Sequence, residues 1–361
     1  MATLIETLEK RVKEIGYDAY LVADQMDIRY LTGIPVPQTS FLLVRPNGDH
    51  MIYVVSDTLR TAQLKLGMEY KIRVAEVGQP SPLDLLVADL PGMRLRRVGF
   101  DALPADVYLT LTEKVSDTTF APGPDAMWGM RVIKSDEEIE YIRKAAKIAD
   151  EGQKTAANVI RPGMREFEVA AEVEYTMRVL GSEDEGHRTI VTSGPRTILA
   201  VVSGYTTERK IRDGELVVVD TGATINGYRS DIGRTYVAGK PTPKQKEIYQ
   251  LIRKAWGAAF ACVKPGTVAA DADVAGRKVL GEYEEYFDHE LGHGLGLSFE
   301  PPFLGKGRKD VFRENMVVAL ELGLYIDSFG GMLVEDTVLV TKDGAERLSS
   351  PPLDWRADPT D

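Results

Sequence analysis

The sequence predicts two folded domains, an α/β unit over residues 1–125 and an α+β unit over 126–350, followed by a tail at 351–361. Three observations carry that prediction. At 361 residues the chain is too long for one small core. Its first third alternates helical and strand patterns, as α/β layering requires. Prolines and glycines in FAPGPDAMWGMRVIKSDEE then interrupt the pattern, and long helices and strand-rich sequence follow.

In chain order, 4–16 reads as a helix and 18–23 (DAYLVA) as a buried strand. Strands at 40–44 and 51–55 join through Asn47-Gly48, 57–66 is helical and 72–77 extended. A helix at 83–90, a strand at 97–100 and a helix at 104–115 complete the first domain. DIRYLTG at 27–33 has no ligand spacing and no phosphate loop is present, so this domain reads as scaffold, dimerisation or gating surface. Ser135 ahead of Asp136, Glu137 and Glu138 starts the long helix of the second domain, which Arg161-Pro162-Gly163 ends. Helices at 166–180, 244–263 and 268–286 accompany its strands.

Composition excludes several functions. Hydrophobic residues make up 43% and charged residues 27%, ordinary for a globular protein. The net charge is −11 with basic residues dispersed, which disfavours nucleic acid and anionic membranes. No apolar run is long enough to span a bilayer, and the N-terminus is amphipathic rather than signal-like. Cys262 is the only cysteine, so neither an internal disulfide nor a thiolate cluster forms, and a cytoplasmic location is expected.

The chemistry centres on LVVVDTGATINGYRSDIGRT. Asn226-Gly227 between apolar runs is a two-residue hairpin signal. Residues equidistant from that turn then pair, setting Asp220 opposite Gly233 and Asp231 opposite Gly222, with both aspartates on one face. Carboxylates so close need a proton or a metal between them. In HELGHGLGLSFEPP, His289 and His293 have helical spacing, yet Gly292, Gly294 and Gly296 argue for a strand whose backbone passes close to a neighbour. Glu321 and Glu335 interrupt apolar runs at equal distances from Ser328, so a hairpin there sets them opposite each other. Unpaired charges in such strands are costly. Two aspartates, one histidine and two glutamates form an oxygen-rich set suited to two divalent metals, with Mn or Co foremost and Zn or Fe as alternatives.

These motifs resemble the pita-bread metallopeptidases: prolidase, Xaa-Pro aminopeptidase and their relative creatinase. The resemblance implies a creatinase-type α/β N-terminal domain and an α+β pita-bread catalytic domain. Its ligand order maps onto Asp220 in VVVDTGA, Asp231 in SDIGRT, His293 in GHGLG, Glu321 in ALELGLYI and Glu335 in VEDTVLV. It implies that Asp220 serves one metal, Asp231 and Glu335 bridge both, and His293 and Glu321 complete the other. A bridging hydroxide would then attack an Xaa-Pro bond, with Glu321 moving the proton and His289 beside the substrate.

Four positions depart from the pattern. Ser203 fills the place of a histidine after the SGP segment, and Glu300 in FEPP, or Phe299 if one residue is skipped, fills that of a second. Leu322 and Leu333 replace a proline and an arginine beside the two glutamates. Each lost donor to the scissile carbonyl costs about 10²–10³ in rate. Glu300 is expected to add a carboxylate beside the metals. A metal-dependent hydrolase or lyase on a small non-peptide substrate is therefore the alternative to a peptidase. A non-catalytic binding protein is opposed by five retained buried charges. The resemblance also implies a homodimer; nucleic acid and membrane are not expected partners.

Overall fold

The structure is a computed structural model and describes residues 3–65, 70–76, 80–200 and 204–350. It divides into two compact units, Met1–Arg131 and Val132–Asp361. The division falls six residues beyond the expected 125/126 boundary. The reason is a helix, Asp125–Arg131, held to the first unit by Arg11, whose guanidinium donates to the Asp125 carbonyl at 3.1 Å. The expected tail at 351–361 lies outside the described residues, as do Leu66, Val77 and Ser203.

The first unit contains one six-stranded sheet. Its strands are Ala19–Val22 (β1), Phe41–Val44 (β2), His50–Val55 (β3), Tyr70–Ala75 (β4), Arg97–Phe100 (β5) and Thr119–Pro122 (β6), in the order β4-β3-β2-β1-β5-β6. Strands β1 and β2 are buried along their length, which is why they read as continuous apolar runs rather than alternating ones. The DIRYLTG segment forms most of a helix, Gln25–Thr32. Asp24 caps it by accepting from the Met26 and Asp27 amides, and Gly33 (φ 68°) stops it.

The second unit is built on an eight-stranded sheet. Its strands are Ile190–Ser193 (β7), Leu216–Thr221 (β8), Ile232–Val237 (β11), Gly292–Leu295 (β12), Phe299–Phe303 (β13), Val317–Ile326 (β14), Gly330–Val340 (β15) and Ala345–Arg347 (β16). Two short strands, Thr224–Ile225 (β9) and Tyr228–Arg229 (β10), pair at the hairpin tip. The path runs β13-β12-β14-β15-β11-β8-β7, with β16 added to β15. The Asp136–Val159 helix starts in a Ser135/Glu138 capping box and buries Ala145, Ala149 and Ala156 against the sheet. Its Gln153 amide donates to the carbonyls of Val219 (3.1 Å) and Ile232 (2.8 Å), tying the helix to both strands of the aspartate hairpin. The region at 268–286 is a helix only over Ala269–Leu280, because Gly281 takes φ 58° and the chain continues as a 3₁₀ turn.

Candidate metal centre

The Asn-Gly turn sets the register that positions the first carboxylates. Asn226 (φ 50°) and Gly227 (φ 84°) are both left-handed, and Asp220 pairs with Gly233 and Thr221 with Ile232. Between β8 and β9 the ladder breaks at Gly222, where the Ser230 carbonyl comes so close that any Cβ would collide with it. Ser230 repairs the break: its amide donates to Ala223 O (3.0 Å) and its hydroxyl accepts from the Ala223 amide (3.0 Å). Asp231 follows directly, clamped by Thr337, which accepts from its amide at 3.0 Å and donates to its carbonyl at 2.9 Å.

Strands β14 and β15 pair Glu321 with Glu335, as a turn around Ser328 requires. A Cβ at Gly233 would stand 2.9 Å from Glu335 Oε2, so the residue opposite Asp220 has to be glycine for this carboxylate to enter. His293 lies on β12 between β13 and β14. The glycines around it are explained by those strands: a Cβ at Gly292 would meet Ala319, and one at Gly294 would meet Glu300 and Pro301 backbone. They serve sheet packing and leave His293 as the side chain presented at this point.

A residue that the sequence reading passed over completes the cluster. His187 Nε2 lies 3.2 Å from Asp220 Oδ1 and 3.0 Å from Asp231 Oδ1. Two triads of donors result, His187–Asp220–Asp231 and Asp231–His293–Glu335, each with its atoms within 4.8 Å of one another. Burial pushes Glu321 and Glu335 well above the ordinary carboxylate range, and the Asp220 and Asp231 charges add to it. Burial also raises Asp220, against the opposing effect of His187. Burial lowers the His187 pKa, yet Asp231 and Asp220 outweigh it and lift the imidazole well above its usual value.

His289 stands beside Glu321, its Nδ1 3.8 Å from Oε1. It is held by Glu290 O at Nδ1 (2.7 Å) and the Tyr325 hydroxyl at Nε2 (3.2 Å), and burial lowers its pKa, so it is a neutral imidazole. Glu300 corrects the sequence reading. Its carboxylate is buried in an ion pair with the equally buried Lys134 ammonium, so it is not a free carboxylate for the metals. Phe299 is the residue beside the cluster, its ring 4.4 Å from that of His293 and 6.0 Å from that of His187. Leu333 packs at Gly233, where an added Cβ would meet it at 2.6 Å, and Leu322 is fully buried.

The donors fit divalent cations. Asp220, Asp231 and Glu335 converge with His187 and His293, and Glu321 stands opposite Glu335 on the neighbouring strand and beside His289. The nearby Arg234 guanidinium is engaged by Asp336 (2.6 Å) and by Gly233 O (2.8 Å). Asp220 Oδ1 and Glu335 Oε2 are buried without a hydrogen-bond partner, a cost that cations relieve.

A buried set of carboxylates and imidazoles on adjoining strands defines a metal-dependent enzyme. The family comparison makes it specific: "Metallopeptidase family M24" matches residues 140–342 and "Creatinase/Prolidase N-terminal domain" residues 5–133, and the chain belongs to this metallopeptidase family. An Xaa-Pro dipeptidase of Pyrococcus horikoshii is 36% identical over 350 residues, 96% of this chain and 95% of that protein. The solved Xaa-Pro dipeptidase from Bacillus anthracis superposes with a TM-score of 0.89 at 31% identity, covering 97% of this chain and 98% of that one. The X-Pro aminopeptidase from Thermotoga maritima gives 0.87 at 27% identity, covering 98% and 99%. Among the described residues, no helix is long and apolar enough to cross a membrane.

Proposed function

We propose that this metallopeptidase cleaves Xaa-Pro dipeptides with two divalent cations held by Asp220, Asp231, His293, Glu321 and Glu335. The observation that carries the reading is the convergence of buried, unpartnered carboxylate oxygens on one point of the sheet. Two curated relatives named Xaa-Pro dipeptidase, at 36% and 35% identity over nearly the whole chain, support a dipeptide over a longer peptide and over a non-peptide substrate.

By the family resemblance, Asp220 would hold one cation, His293 and Glu321 the other, and Asp231 and Glu335 would take part in holding both. When bound, the cations polarise the scissile carbonyl and bring the pKa of a water near neutrality. Glu321 is the carboxylate that accepts the water's proton and returns it to the leaving prolyl nitrogen. His289, neutral and fixed by Glu290 and Tyr325, lines the approach to Glu321. Phe299 presents an apolar ring and no hydrogen-bond donor beside His293. Ser203 belongs to the same proposal as a substitute donor. Mn²⁺ or Co²⁺ as the cations, a homodimer and a cytoplasmic location complete it, resting on the oxygen-rich donor set, the family resemblance and the lone Cys262.

The test is hydrolysis of Ala-Pro and of a matched Xaa-Pro-Yaa tripeptide by Mn²⁺- or Co²⁺-loaded protein, with Asp220→Asn as control. Dipeptide turnover abolished in the control is the expected result. Absence of turnover with two cations bound sinks the peptidase assignment, and tripeptide preference replaces dipeptidase with aminopeptidase.

A further inference from the structure

We propose that His187 is a sixth protein ligand, giving the cation position between Asp220 and Asp231 an imidazole of its own. The inference rests on the metal-centre reading above and changes its symmetry: each cation receives one nitrogen donor, with Asp231 shared between the two halves.

Four observations converge on it. Nδ1 of His187 donates to Arg188 O at 2.9 Å, so Nε2 is the nitrogen that faces the two aspartates and that a cation would take in place of its proton. His293 is arranged the same way, with Nδ1 donating to Gly294 O at 3.0 Å and Nε2 3.6 Å from the other oxygen of Asp231. A backbone acceptor on the far nitrogen is the usual means of orienting a metal-binding imidazole. Secondly, Nε2 of His187 and Oδ1 of Asp220 both lack a hydrogen bond despite standing 3.2 Å apart. With Asp231 they form a triad of donor atoms within 4.8 Å of one another, a spacing that one cation can span.

The backbone is also shaped to deliver this ring. Gly186 N–H donates to Gly222 O at 2.8 Å, and Glu185 bridges Ala223. A Cβ on Gly186 would stand 2.6 Å from Ser230 O, so only a glycine lets the segment approach the break between β8 and β9. Finally, the Phe299 ring neighbours both imidazoles, its centroid 6.0 Å from that of His187 and 4.4 Å from that of His293. A nitrogen donor on the Asp220 side moves that position away from oxygen-only chemistry, favouring Co²⁺ or Zn²⁺ over Mn²⁺.

The experiment is proton NMR of the Co²⁺-loaded full chain, counting paramagnetically shifted, exchangeable imidazole N–H signals. Wild type is expected to show two, from His187 and His293, and His187→Ala only one. Calorimetric titration with Co²⁺ and Mn²⁺ is expected to show Co²⁺ affinity at one position falling on the order of 10–100-fold in His187→Ala, the range that even outer-shell partners of a metal control. Mn²⁺ affinity should fall less. A single wild-type signal, lost in His293→Ala and kept in His187→Ala, overturns the proposal while leaving the five-ligand centre intact. No shifted signal with Co²⁺ bound overturns both readings. Unchanged or tighter Co²⁺ binding in His187→Ala makes His187 a counter-ion that metal displaces, and also overturns it.

Discussion

The Lys134 ammonium lies against the Glu300 carboxylate with both side chains only 1% exposed, an ion pair closed off from water. Lys134 enters just ahead of the Ser135-capped helix, and Glu300 sits on β13, so the pair joins the start of the unit to the strand beside His293. Removing one partner of a buried pair strands the other charge, at about 3–5 kcal/mol. Lys134→Met is therefore expected to lower unfolding free energy by that order in urea titrations. Lys134→Met combined with Glu300→Gln should recover much of the loss. If the double variant is as unstable as the sum of the singles, the pair is not coupled.

Phe299 offers a complementary gain of function. At 45% exposure its ring is replaceable without a core cavity, and it already touches His293. A histidine there restores the donor that the family resemblance places beside the scissile carbonyl. One oxyanion donor is worth about 10²–10³ in rate, so Phe299→His is expected to raise kcat for Ala-Pro by at least about tenfold with KM little changed. Equal kcat in both proteins would show that carbonyl stabilisation here needs no such donor.

Gly233 tests the geometry directly. A Cβ at this position would stand 2.6 Å from Leu333 Cδ2 and 2.9 Å from Glu335 Oε2, and it lies opposite Asp220. Gly233→Ala is expected to displace Glu335, leaving less than one tightly held cation per chain by atomic emission. Destabilisation of the metal-free protein should stay within about 1–3 kcal/mol, the usual range for overpacking. Two cations retained at wild-type affinity would mean that Glu335 is not a ligand.

Much of this centre was legible because it is local. A two-residue turn at Asn226-Gly227 dictates that Asp220 meets Gly233, and the symmetric placing of Glu321 and Glu335 around Ser328 dictates their pairing. Two glutamates inside strands otherwise buried on both faces announce a charge with a purpose. His187 was not legible, since it follows the polar run GSEDEG and resembles a surface loop. What carries it inward is the mutual approach of Gly186 and Gly222, a contact between segments far apart in sequence. The burial of Glu300 is illegible for the same reason, its partner Lys134 lying 166 positions away. The helices Gln25–Thr32 and Asp125–Arg131 were missed because each is short and bounded by turn-forming residues, whose local signals outweigh two turns of periodicity.

Asp150 links stability to pH away from the metal centre. Burial raises its pKa from 3.8 to about 6, opposed by hydrogen bonds from Ser350 and reinforced by the charge of Asp336. Between these values the unfolded chain loses this proton while the folded chain keeps it. Stability therefore falls as pH rises through that window, and the loss is complete above the folded pKa. The rise corresponds to about 3 kcal/mol at 1.36 kcal/mol per unit. Asn at this position keeps an oxygen for the Ser350 amide and cannot ionise. Asp150→Asn is therefore expected to gain on the wild type by roughly that amount between pH 4 and pH 7, read as the difference between their unfolding free energies. Titration of the metal ligands, common to both proteins, cancels in that difference. A difference that stays flat from pH 4 to pH 7 would show that Asp150 is ionised throughout, and that its bonds to Ser350 outweigh its burial.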